Sequence, residues 1–290
     1  MNLPKVPVSP NSVRTLDKAW EESPEWNQLA DKTKIEWSRY RGRIVAAWGN
    51  LEVRGIEPMH VKALRDNWKD TPASANNMLR CLSSMLSWSV TSGFRTDNPA
   101  ALIPLLKGGE GYAPWPWEII QAARCELLEA GREDLWWAIA LALYTGQRQD
   151  DCLHMRWSAI SRGVIAVKQG KTQKELLIPI HRDLQAVLDT IPKRATTILT
   201  SSEGRPWASG FNASWRKNRP MLVRSNHLVF HGLRKSAVVF LLESGCTEAE
   251  TASVTGQTLA MVAHYGKQVN QHRLAAAAIL KWEEREQNRN

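Results

Sequence analysis

One segment of this chain reads as β-strand and almost all the rest reads as helix. Residues 163–180, GVIAVKQGKTQKELLIPI, hold two strand-like runs, 164–167 and 176–180. The polar stretch QGKTQK between them is a turn in which Gly170 supplies backbone freedom. A lone hairpin among helices limits the chain to a mainly α fold with a small antiparallel β-sheet, an α+β class.

Helical periodicity surrounds the hairpin on both sides. In residues 33–48, Trp37, Tyr40, Ile44 and Trp48 share one face, with Arg39 and Arg43 opposite and Lys34 and Arg41 nearer the boundary. Residues 57–70 suggest a second helix. Thr71-Pro72 then reads as a helix start, with Thr as cap and Pro in the first turn. The helix that follows runs to about Ser92 and buries Met78, Leu79, Leu82, Met85, Leu86 and Val90. Helical patterns recur at 116–130, 134–145, 181–191, 210–223, 230–244, 247–254 and 272–286. Gly108, Gly109 and Gly111 mark a linker. The expected division is a loose Pro- and Ser-rich tail at 1–12, a helical domain at 13–107, a linker at 108–115 and a second domain at 116–290. At 290 residues, either domain is large enough to bury a core.

Several classes are excluded. The longest apolar run, residues 135–144, is half of what a membrane span needs (~20 residues). Residues 1–13 show no apolar signal-peptide core. Cys81, Cys125, Cys152 and Cys246 form no CxxC pair, which argues against a zinc finger or disulfide framework and fits a reducing cytoplasm. The net charge of +9 favours a polyanionic partner. Residues 1–107 hold 15 Lys/Arg against 11 Asp/Glu, and residues 108–290 hold 23 against 18, so both parts are basic. The 14 tryptophans outnumber the other aromatics and fall mostly in helical stripes, which points to the core.

Four fragments carry chemistry. Gly170-Lys171-Thr172 ends like a phosphate-binding loop, but position 165 is Ile rather than Gly, and the lysine sits in a hairpin. Taken alone, it is a solvated turn residue. Thr145-Gly146-Gln147-Arg148 follows the most apolar helix, so Arg148 either pairs with Asp151 or serves as a phosphate clamp. His231-Gly232-Leu233-Arg234 opens another apolar helix. Its His and Arg share a face, and either converge on an anion or act as a cap and a surface cation. Finally, Gly256-Gln257 precedes Tyr265, a residue type that is far more often core than nucleophile.

In this order the fragments resemble the tyrosine recombinases, or phage-type integrases. That family places an arginine after Thr-Gly, a lysine in a hairpin, HxxR, a Gly-His or Gly-Trp pair and a tyrosine near the end of the chain. Residues 13–107 likewise resemble its SAM-like core DNA-binding domain, with Asn98-Pro99 after the long helix. The chain departs from the pattern at Gln257, where His or Trp is usual, and in the spacing to Tyr265, one residue shorter than is common. Gln can still donate to a phosphate oxygen.

The resemblance implies site-specific DNA strand exchange, without metal, ATP or other cofactor, through a 3′-phosphotyrosyl link that integrates or excises a mobile element. Tyr265 would be the nucleophile, Arg148 and Arg234 would hold the phosphate, His231 would take a proton and Lys171 would give one. Gln257 would assist and Asp151 would orient the site, while His264 would be structural. Candidate DNA contacts are Lys34, Arg39, Arg41, Arg43 and Arg80 in the first domain and Arg216, Lys217, Arg219 and Arg224 in the second, closing as a clamp on double-stranded DNA. The resemblance also implies a homotetramer on DNA, with residues 272–286 docking on a neighbouring protomer. An excisionase or a host DNA-bending protein would be a further partner. The expected location is the cytoplasm of a bacterial or phage-infected cell, at the nucleoid. Two alternatives remain: a type IB topoisomerase-like enzyme, and a DNA-binding regulator with a decayed site, the latter motivated by Gln257.

Overall fold

Ser12 begins the first ordered helix, and its burial fixes the entry of the chain. In the computed structural model, which describes residues 9–287 except Glu110 and Ala208, the chain divides between Gly111 and Tyr112 into two compact units. Residues 1–8 of the expected tail lie outside the described residues. Ser12 does not behave as loose tail: it is buried, bridges to Glu52 and accepts from Thr15 N at 3.3 Å as the N-cap of α1 (Val13–Glu21).

The first unit continues with α2 (Pro24–Asn27), α3 (Asp31–Trp48), α4 (Pro58–Asp66) and α5 (Pro72–Thr91). Val13, Leu16 and Trp20 of α1 meet Tyr40 and Ile44 of α3 and the expected stripe of α5, which is buried from Met78 to Leu86. Trp37 and Trp48 pack at the rim of this core. Pro72 occupies the first turn of α5 as expected, but Thr71 does not cap it. Its Oγ1 donates instead to Trp68 O at 3.3 Å. Beyond α5, Asn98 accepts from Ala100 N and donates to Ser83 O, which ties the chain back onto the helix.

The second unit begins earlier than the sequence suggests. Trp115, expected in the linker, is 1% exposed: its backbone N–H donates to Ser236 Oγ and its indole N–H to Val229 O. Helices α6 (Trp117–Glu129), α7 (Glu133–Thr145) and α8 (Gln149–His154) follow. Helix α7 is apolar on nearly all sides and forms the centre of the core. The sheet is antiparallel in the order β1 (Ile160–Ser161), β2 (Val164–Lys168), β3 (Glu175–Pro179), with Lys168 opposite Glu175. That register leaves residues 169–174 as the connecting turn. Ile165, Val167 and Ile178 face the core.

Helix α9 (Arg182–Thr190) follows the sheet. The single helix expected at 210–223 is two, α10 (Phe211–Asn218) and α11 (Met221–Ser225), because Pro220 lacks the N–H that would continue the first. The chain ends in α12 (Gly232–Glu243), α13 (Glu248–Thr255) and α14 (Leu259–Gln287). Among the described residues, no helix is long and apolar enough to cross a membrane.

Candidate active site

Three chain turns of the second unit converge where α7, the β2–β3 hairpin and α13 end. Helix α7 stops at Gly146, which has φ +63°; a Cβ there would lie 2.8 Å from Thr255 Cγ2. The left-handed backbone and the close packing both require glycine. The next two residues diverge: Gln147 is buried, whereas Arg148 is the N-cap of α8 and is part-exposed. Arg148 Nη1 lies 3.3 Å from Gln169 Oε1 and 3.6 Å from Asp151 Oδ2. The ion pair with Asp151 therefore exists, and it leaves the guanidinium facing solvent in part.

Asp151 reaches across to the hairpin. Its Oδ1 accepts from Gly170 N at 2.8 Å, and its Oδ2 is buried without a hydrogen-bond partner among the described residues. This carboxylate thus touches both Arg148 and the lysine turn. Lys171 follows Gly170 with its side chain exposed.

The His-x-x-Arg pair sits at the start of α12. Arg234 is 4% exposed, and its Nη1 donates to Gly146 O at 2.5 Å. Its Nη2 is buried and has no partner among the described residues. Burial, and then the neighbouring Arg148, push its pKa down to about 10, with Asp151 and Tyr265 acting in the opposite direction. The His231 ring meets Tyr112 edge to face, with centroids 5.9 Å apart. Part of the ring reaches solvent, yet desolvation of the rest lowers its pKa, as do the cations Arg234, Arg148, Lys235 and Lys171. The two arginines, Lys171 and His231 thus share one electrostatic site.

Helix α13 starts with a capping box between Thr247 and Glu250 and ends at Gly256, with φ +68°. A Cβ at Gly256 would lie 2.6 Å from Gln169 Nε2 and 2.8 Å from Leu176 Cδ1, so the segment is seated directly on the hairpin. Lys174 Nζ also donates to Gly256 O. Gln257 follows, with Oε1 buried and unpartnered among the described residues. Rotation of that amide exchanges Oε1 for Nε2, a donor.

Tyr265 lies within α14 and not in a loop before a later helix; the helix expected at 272–286 begins at Leu259. The tyrosine packs against Val238, Leu242 and Val262, and Lys235 Nζ lies 4.6 Å from its ring centroid. Among the described residues, no hydrogen bond joins its hydroxyl to His231 or to either arginine. His264 is exposed beside it, with ring centroids 5.5 Å apart.

The proposed DNA contacts are of two kinds. Arg39, Arg43 and Arg80 are exposed, and Arg43 lies 4.0 Å over the Trp68 ring. Lys34 is half-buried and donates to Asn27 O. Arg41 is a correction: it is 5% exposed, binds Asp17 and Glu21 and covers Trp26, so it is a core residue and not a DNA contact. In the second unit, Arg216, Lys217 and Arg224 are exposed, and Arg219 is half-buried. Sequence reasoning missed Gln147, Gln169, Thr255 and Lys235. Gln147, Gln169 and Thr255 carry no pattern that marks a buried polar residue, and Lys235, which is part-exposed, reads as an ordinary helix cation.

A helical domain around a small sheet, presenting Arg148, Lys171, His231, Arg234 and Tyr265 in that order, has the make-up of a tyrosine recombinase catalytic domain. Residues 119–272 match the Phage integrase family, and the chain belongs to that family. It is 27% identical to the integrase of Enterobacteria phage 434 over 224 residues, 71% of this chain. The chain spans only 62% of that relative's length. The fold is similar to that of a lambda integrase dimer bound to a COC′ core site, with a TM-score of 0.75, 22% identity and coverage of 86% of this chain and 97% of that one. It is also similar to a lambda integrase tetramer bound to a Holliday junction, with a TM-score of 0.76, 22% identity and coverage of 88% and 77%.

Proposed function

We propose that this chain is a site-specific DNA recombinase that cuts and rejoins DNA through Tyr265, integrating or excising a mobile element. The observation that carries this reading is the pair Arg148 and Arg234. Two guanidiniums share one site, the Arg234 pKa is depressed to about 10, and its Nη2 lacks a partner among the described residues. A phosphate diester between them removes the repulsion and supplies the missing acceptor.

The chemistry follows from the residue types. Tyr265 Oη attacks phosphorus, forming a phosphotyrosyl bond to the 3′ phosphate and breaking the bond to O5′. A tyrosine hydroxyl has a pKa of ~10, so its proton needs an acceptor, and His231 is held neutral for that task. Lys171 gives a proton to the departing O5′. The arginines stabilise the non-bridging oxygens as their charge grows, and one such donor is commonly worth ~10²–10³ in rate. A 5′ hydroxyl of a partner strand then attacks the phosphotyrosyl bond and releases Tyr265. One phosphodiester replaces another, so the exchange balances without an external energy source. The second strand comes from a second site, and a tetramer of this chain on DNA would bring four such centres together.

A nicked duplex carrying the attachment sequence that flanks the encoding element tests the reading, because the short fragment bearing the freed 5′ hydroxyl diffuses away and traps the adduct. The wild-type chain should form a covalent protein–DNA adduct and Tyr265→Phe should form none. An adduct that persists in the Phe variant would overturn the assignment of the nucleophile. Relaxation of a supercoiled plasmid lacking that sequence would favour a topoisomerase-like activity instead.

A further inference from the structure

Gln169 lies just beyond β2, two residues before Lys171, and its side chain is fully buried. Every hydrogen-bonding site of its amide is engaged with a different piece of the catalytic unit. Nε2 donates to Gln147 Oε1 at 2.7 Å and to Thr255 O at 3.1 Å. Oε1 accepts from Thr172 Oγ1 at 2.6 Å and from Arg148 Nη1 at 3.3 Å. Gln147 is anchored in turn, donating to Thr145 O at 2.9 Å and Val254 O at 3.2 Å.

The consequence falls on Lys171. Its two chain neighbours are both tied down, Gly170 N to Asp151 and Thr172 Oγ1 to Gln169. Those two anchors, Asp151 and Gln169, are also the two groups that hold Arg148. The lysine turn and the first arginine therefore share the same supports, although 23 positions separate them in the chain.

We propose that Gln169, clasped by Gln147 and Thr255, is a positioning residue that fixes the Lys171 turn relative to Arg148 and so sets where the leaving oxygen receives its proton. Only an uncharged amide fits the position. A glutamate would keep the acceptor for Arg148 but would set a carboxylate oxygen against Gln147 Oε1 and Thr255 O. A methionine of similar length would strand all four partners. The inference rests on the recombinase reading for the role of Lys171, but the clasp itself does not.

The test has two arms. In the DNA-free protein, hydrogen exchange of the amides at Gly170 and Gln173, which are bonded to Asp151 and Gln169, should quicken in Gln169→Met and in Thr172→Val, the latter a change on the exposed turn that leaves the core intact. Unchanged protection in both variants would overturn the clasp whatever the chain does to DNA. In the second arm, single-turnover cleavage is read on nicked duplexes with either a normal phosphodiester or a bridging 5′-phosphorothiolate, whose sulfur leaves without an acid. Both variants should bind the duplex as wild type does and cleave the normal duplex on the order of 10- to 100-fold more slowly. The phosphorothiolate should return Thr172→Val to the wild-type rate and rescue most of the loss in Gln169→Met, the remainder reflecting the acceptor that Arg148 loses. Equal slowing on both duplexes would show that Gln169 does not act through Lys171. No adduct from the wild-type chain on either duplex would overturn the recombinase reading and, with it, the assigned role of Lys171, while the exchange arm still decides the clasp.

Discussion

His231 shows how one side chain reads the charge of the whole site. Its partial burial and the four cations around it disfavour the imidazolium, so its midpoint lies below the ordinary value of ~6.5. The imidazole is therefore neutral at pH 7 and ready to accept a proton. The unfolded chain binds that proton more readily, so this group takes stability away as pH falls from ~6.5 through the lowered folded value. NMR titration of the DNA-free protein should give a midpoint below ~6.5, and Arg148→Ala should raise it. A bound duplex should also raise it, because a phosphate offsets the cations; a midpoint that ignores both changes would contradict the shared field. The candidate residues Arg148, Lys171, His231, Arg234 and Tyr265 could be picked out of the sequence because their types and order resemble the family's pattern. Gln169 was not, since a buried amide in a polar turn looks like a solvated one. Arg41 misled for the converse reason: its burial depends on Asp17 and Glu21, carboxylates of a helix that the sequence pattern did not reveal. Arg41→Ala should cost about 1–3 kcal/mol of stability in urea unfolding, since the charge-assisted hydrogen bonds to Asp17 and Glu21 and the packing over Trp26 are removed. Its duplex affinity at temperatures where it stays folded should match wild type.

At the scale of elements, what places the site is the way helix and strand ends are stopped. Gly146 ends α7 and Gly256 ends α13, both in left-handed backbone, and each presses against a neighbouring element too closely for a side chain. Gly256→Ala should therefore lose about 1–3 kcal/mol in thermal or urea unfolding, from backbone strain and collision with Gln169 and Leu176. Its adduct formation should also slow, since the collision moves the residue that holds the lysine turn. A fully stable and fully active Ala variant would show that the turn relaxes without consequence. Element limits were legible where a strong local signal acts, as at Pro72 and at the hairpin. They were lost where tertiary packing decides. Strand β1 is two residues long and exists only by pairing with β2. Helix α14 begins 13 residues before the Ala-rich segment that the sequence marks, because Val262 and Tyr265 gain a packing partner in α12 that no local pattern announces.

At the scale of the molecule, each unit closes its own core, and each is basic. The excess of four cations in residues 1–107 and five in residues 108–290 means that neither unit is a neutral spacer. If both grip one duplex, their phosphate contacts release counterions together, and the logarithm of affinity falls with the logarithm of salt by about 0.9 per contact. The full chain should then show a steeper salt slope than residues 112–290 expressed alone, whose core is complete without the first unit. Replacing an exposed candidate, Arg216 or Lys217, with alanine should reduce the full chain's slope by about 1 if that side chain meets a phosphate. Arg41→Ala should leave the slope unchanged, because its charge is already spent on Asp17 and Glu21. Fluorescence anisotropy on one duplex across a salt series reads all of these together. Equal slopes for the full chain and the isolated second unit would mean that the charge of the first unit faces away from DNA, and that its cations serve solubility alone.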